Sequence, residues 1–131
     1  MKKQIIFSVF LFTITAIFSF GQGVWIEDNV NPDTGLKTGT IEVNGDIFEI
    51  KPNTNLSGVN LSGANLSGAN LSGANLSGAD FFETDLTKSN LSGANLTGAK
   101  LTVTNLTEAN MSGTNIKSAE INTCLLYTSD A

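Results

Sequence analysis

Large apolar residues recur at every fifth position over more than half of the chain. They fall at Leu56, Leu61, Leu66, Leu71, Leu76, Phe81, Leu86, Leu91, Leu96, Leu101, Leu106, Met111, Ile116 and Ile121, fourteen centres in one register. Two residues before a centre sits a small residue, usually alanine: Ala64, Ala69, Ala74, Ala79, Ala94, Ala99, Ala109 and Ala119. One before is usually Asn or Asp, one after is usually Ser or Thr, and the second after is often Gly. A period of five fits neither a helix, which needs apolar spacings of three and four, nor a strand, which alternates by two. Glycine at that frequency would also break a helix at almost every turn. A strict short repeat instead predicts a stacked array, in which each unit buries its apolar face on its neighbours. The geometry that satisfies it is a coil with five-residue sides. The centre and the small residue two before it point inward, and the other three positions face water.

The gapless A-[DN]-L-[ST]-G units over residues 54–123 resemble the pentapeptide repeat family. The resemblance implies an all-β fold, a right-handed quadrilateral β-helix with four pentapeptides per coil. Fourteen centres then make about three and a half coils, roughly 17 Å long at the spacing of stacked strands. On this fold residues twenty apart share a side. The first side carries Leu56, Leu76, Leu96 and Ile116, and the second Leu61, Phe81, Leu101 and Ile121. The third carries Leu66, Leu86 and Leu106, and the fourth Leu71, Leu91 and Met111. The fourth side is the most regular. Its outward rungs, Asn70 and Ser72, Asn90 and Ser92, Asn110 and Ser112, form a candidate interaction face. Departures at Phe82, Glu83, Lys88, Lys100, Val103 and Lys117 all fall at outward positions, where they decorate the coil without breaking it.

Ahead of the repeat, Met1 to Gln4 is a short basic head, and Ile5 to Phe20 an uncharged apolar run. With Ser19 and Gly21 as small residues before a cut at Gln22, residues 1–21 read as a signal peptide. They resemble bacterial export signals. Sixteen apolar residues are short for a membrane span, and no Cys follows them for lipid attachment. The mature protein is therefore expected to be exported, periplasmic or extracellular, with no membrane association after cleavage. Residues 22–52 differ in pattern. Asn31-Pro32-Asp33-Thr34-Gly35 is turn chemistry. Thr40 to Val43 and Asp46 to Ile50 alternate on either side of Asn44-Gly45, a strong hairpin signal. This predicts an N-terminal β-hairpin cap, with Trp25, Ile26, Ile41, Ile47, Phe48 and Ile50 covering the open end of a solenoid that would otherwise expose strand edges. Residues 53–123 form the repeat. The last eight, Cys124 to Ala131, break the period and resemble a translated sequencing adapter, which would make the chain a fragment truncated at its C-terminus.

Charge and chemistry narrow the function. The chain has twelve acids, seven lysines, no Arg and no His, for a net charge of −5. No nucleophile has a base partner in the pattern, so an enzyme is not expected, nor a cofactor. Asp80, Glu83 and Asp85 are oxygen ligands of the kind Ca²⁺ takes, but the spacing of a calcium loop is absent and no metal site is assigned. The nine N-x-[ST] matches are forced by the repeat and say nothing about glycosylation. The expected function is that of a structural or binding solenoid, a rigid spacer or a surface for an unknown protein or surface partner. The alternative is recognition of a regular lattice, ice or polysaccharide, through the fourth side. The family resemblance also brings in a DNA-mimicking gyrase protector. Sparse charge and the signal peptide place that reading last, and no nucleic-acid partner is expected.

Overall fold

The computed structural model describes residues 23–121. Residues 1–22, which include the expected signal peptide, and residues 122–131, which include Cys124, lie outside the described residues. No helix occurs among those described, and none is long and apolar enough to cross a membrane.

The chain opens with three antiparallel strands, β1 (Val24–Val30), β2 (Lys37–Val43) and β3 (Asp46–Ile50), with β2 in the middle. Asn31 closes the β1–β2 connection, its Oδ1 accepting from the N–H groups of Asp33 and Thr34 at 2.9 and 3.1 Å. Asn44 and Gly45 join β2 to β3 with φ of 53° and 90°. Both are left-handed, as a two-residue turn matching strand twist requires. The segment is thus a three-stranded sheet and not a two-stranded hairpin. β1 escapes sequence reading because its register shifts between Trp25 and Glu27, and the bulge breaks any alternation. Among the residues expected to cover the coil, Ile41 and Ile50 are buried, and Trp25 and Phe48 pack on the core from its edge. Val43, not anticipated, is buried with them. Ile47 is a correction. It is 65% exposed, because period two puts it on the outer face of β3 with Glu49 while Phe48 and Ile50 face inward.

From Asn53 onward the backbone winds in coils of twenty residues. Parallel bridges join Asn55 to Asn75, Asn60 to Asp80, Asn65 to Asp85 and Asn70 to Asn90, and repeat upward to Asn95–Asn115. The centres from Leu56 to Leu106 are buried in one continuous core with their alanines. Three expected core centres differ. Met111 and Ile121 are half-buried, and Ile116 is 44% exposed. A centre is covered by the coils below and above it, and these three belong to the last described coil.

The pentapeptide sequence follows from hydrogen-bond accounting. The centre donates its N–H to the coil above, as Leu71 does to Asn90 O at 2.8 Å. The second residue after it does the same, Gly73 to Ser92 O at 2.8 Å. The third closes the corner, Ala74 to Leu71 O at 3.1 Å, and the fourth donates downward, Asn75 to Thr54 O at 2.9 Å. One N–H remains, that of the residue after the centre, usually Ser or Thr. It donates to Oδ1 of the Asn or Asp two residues earlier, at 2.9 to 3.3 Å. Asn and Asp are favoured because their short side chains make this turn with their own backbone. Where Lys100 and Glu120 replace them, the ladder instead lengthens to two-residue strands, β4 (Lys100–Leu101) and β5 (Glu120–Ile121), paired in parallel.

Candidate interaction faces

The fourth side stacks its rungs as the sequence suggests. Asn70 bridges Asn90, and Asn90 bridges Asn110. The side chains are less available than an outward position implies. Asn70 Oδ1 accepts from Ser72 N and Oγ at 3.3 and 2.9 Å. Asn90 Oδ1 accepts from Ser92 N at 3.0 Å, and Asn110 Oδ1 from Ser112 N and Oγ at 3.0 and 2.8 Å. Asn70, Ser72, Asn90 and Ser92 are half-buried, and Asn110 and Ser112 exposed. Each of these carboxamide oxygens serves the fold first, which leaves the amide N–H₂ groups as the side's outward polar chemistry. The base of this side is extended by β2. Lys37 N donates to Gly68 O and Asn70 N donates to Lys37 O, both at 2.7 Å, so Lys37 stands where one more rung would be.

The second side is different. At the position after the centre it carries Ser62, Phe82 and Thr102, and at the next Gly63, Glu83 and Val103. Phe82 is 43% and Val103 40% exposed. Asp80 stacks under Lys100 through a parallel bridge, and Lys100 under Glu120. Glu83 and Val103 have φ of 57° and 60° where Gly63 has 72°. The outward departures are therefore not free decoration. Lys88, Glu108 and Ser118 share that left-handed backbone, at 58° each. On the third side Lys88 Nζ lies 4.0 Å from Glu108 Oε2, both side chains exposed. Asp80 and Asp85 each accept a backbone N–H at 2.9 Å, and no group of three or more His, Cys, Asp or Glu among the described residues is placed to hold a metal. The importance of Phe82, Lys100 and Val103 was open to sequence reading through one signal, the break in the consensus at outward positions.

A coil of stacked identical units whose backbone bonds run from rung to rung defines a repeat β-solenoid. The model of pentapeptide repeats matches eight copies over residues 53–87 and 89–126, and the chain belongs to the pentapeptide repeat family. Proteins of this family are right-handed quadrilateral β-helices, typically non-enzymatic structural or interaction proteins. Among solved structures, a pentapeptide repeat protein from Nostoc PCC 7120 is 32% identical, with 64% of this chain and 75% of that one covered and a TM-score of 0.54. A pentapeptide repeat protein of the Arabidopsis thaliana thylakoid lumen is 33% identical, over 60% of this chain and 55% of that one, at a TM-score of 0.47. HetL, involved in heterocyst differentiation regulation in Nostoc, is 32% identical, over 53% of this chain and 37% of its own length, at 0.43. The match thus spans little more than a third of HetL and about half of the thylakoid protein. No curated protein matches the chain.

Proposed function

We propose that this protein is an exported, non-enzymatic solenoid that works as a rigid spacer or protein-interaction surface, with the β1–β3 sheet as its N-terminal cap. The observation that carries the reading is the closure of the repeat's hydrogen bonding. All five N–H groups of a typical unit are bonded within the body, so the backbone is rigid and the outward side chains are held in fixed rows. The capping role is supported by bonds from the sheet to the first coil. Trp25 Nε1 donates to Asn65 O at 3.0 Å, an oxygen whose counterparts on higher coils accept from a coil beneath. Export is supported by the apolar run of residues 5–20. Gly23, buried against Val43 and Ala64, is the second residue after the expected cut, so a chain starting at Gln22 keeps every contact described above. The test is fractionation of cells producing the full chain, with mass analysis of its N-terminus. A periplasmic or extracellular protein beginning at Gln22 supports the reading. A cytoplasmic protein retaining residues 1–21 overturns export.

Lattice recognition remains a second reading because of the fourth side's three like rungs. Co-sedimentation with insoluble polysaccharides and ice-recrystallisation assays test it. Binding that survives Asn90→Asp and Ser92→Lys would remove the fourth side from consideration.

A further inference from the structure

The outward departures on the second side are Phe82 and Glu83 in one coil, Lys100 and Val103 in the next, and Glu120 in the last described one, while Asp80 keeps the consensus. At least three of them work against the isolated molecule. Phe82 puts a large apolar ring in water where the repeat has Ser or Thr. Val103 is a β-branched residue in a left-handed backbone that suits Gly. Lys100 cannot make the Asn turn that satisfies the N–H two residues on. Local rules broken together are expected where a surface has another task. We propose that the second side docks against the same side of a second copy of this chain. The proposal rests on the reading of the solenoid as an interaction surface.

The pattern of the side is self-complementary. The twenty-residue register sets Asp80 under Lys100, Phe82 under Thr102 and Glu83 under Val103. Place two copies face to face about a two-fold axis that runs parallel to the side and midway between those coils. Asp80 then meets the partner's Lys100, and Lys100 meets the partner's Asp80. Each Phe82 then faces the partner's Thr102 and each Val103 the partner's Glu83, so the two Phe82 rings lie diagonally across the axis, beside the charge pairs. A symmetric dimer needs this reciprocity, residue i against j and j against i. A face of one charge, or the fourth side's neutral rungs, does not provide it. Exposed Glu83 sits at the corner, where its carboxylate stays in water.

The face is small. It spans three coils at about 4.8 Å each, below the roughly 1,200 Å² that stable complexes bury. The dimer is therefore transient, and its exposed charge pairs weaken with salt. Sedimentation velocity of the protein as recovered from the producing cell, from about 10 μM to about 1 mM, reads it directly. Association that rises with concentration and falls with salt is expected. Phe82→Ser, Val103→Gly and Lys100→Asn each restore the repeat consensus. Each should weaken association by about tenfold or more while leaving thermal stability equal or higher, a combination that a purely structural role does not produce. Lys100→Asp should abolish association, and Asp80→Lys combined with it should restore it. A monomer throughout the range overturns the proposal, as does association unaffected by all of these changes. An exported monomer would leave the spacer and interaction reading standing; a protein retained in the cytoplasm would fail that reading on its own.

Discussion

Val103 shows how much a single position reveals about the repeat. Its φ is 60°, a region that costs an ordinary L-residue roughly 1–2 kcal/mol and a β-branched one more. Asn tolerates it. Val103→Asn should therefore raise the midpoint of urea unfolding, and an unchanged or lower midpoint would show that the side chain contributes packing that offsets the strain. Ser89 is the complementary case at an inward position. Thr84, Thr104 and Thr114 stand where most units have alanine, and each hydroxyl donates to a carbonyl of the coil below at 2.7 Å. Ser89 Oγ is buried with no hydrogen-bond partner. An unsatisfied buried hydroxyl costs about 1–3 kcal/mol, so Ser89→Ala should stabilise the protein by about 1 kcal/mol in the same measurement. Phe81, fully buried between Leu61 and Leu101, lies at the other extreme, and Phe81→Ala should cost about 3–5 kcal/mol. Burial at Phe81 was legible from periodicity alone. The strain at Val103 and the orphan at Ser89 were not, because the repeat shows which way a residue points and not which backbone angle or partner it finds there.

At the scale of the element, the sequence was readable wherever one period ruled. Five-residue spacing gives the coil and its buried centres, and Asn44-Gly45 gives the β2–β3 turn. What it did not give is β1, since a bulge at Ile26 and a mixed run of apolar and acidic residues leave no alternation to detect. Nor did it give the task of the Asn residues. Read as an outward ladder, Asn70, Asn90 and Asn110 suggest a binding face. In the fold their Oδ1 atoms first satisfy backbone N–H groups, as do those of the other three sides. The join between sheet and coil depends on Trp25. Trp25→Phe keeps the aromatic body and removes the indole N–H that Asn65 O accepts. The expected loss is about 0.5–1.5 kcal/mol by urea titration. A loss well above that range would mean that the larger indole contributes packing between sheet and coil beyond its hydrogen bond.

Over the described residues the molecule is a graded stack, packed at its N-terminal end against residues of the β1–β3 sheet and least covered in its last described coil. Centres from Leu61 to Leu96 are fully buried, while Met111 and Ile121 are half-buried and Ile116 is exposed. Amide exchange should follow that order, with Ile116 faster than Leu71; the reverse would mean that something outside the described residues covers the top coil. The surface of this stack also bears on gyrase. A DNA mimic must present charge at the density of the duplex, one per about 1.7 Å of axis, so a coil roughly 17 Å long needs on the order of ten negative charges. Residues 53–121 carry five acids, Asp80, Glu83, Asp85, Glu108 and Glu120, against Lys88, Lys100 and Lys117. Their placement lowers the field further. Asp80 lies one rung below Lys100, and Glu108 approaches Lys88 at 4.0 Å. The remaining outward positions are mainly Asn, Ser, Thr and Gly, which hydrogen-bond locally but generate no long-range potential. The protein should therefore leave gyrase supercoiling unchanged at micromolar concentration, with or without a quinolone present. Inhibition or protection in that assay would show that this solenoid engages the enzyme by a means other than charge mimicry, and together with a cytoplasmic location it would displace the spacer reading.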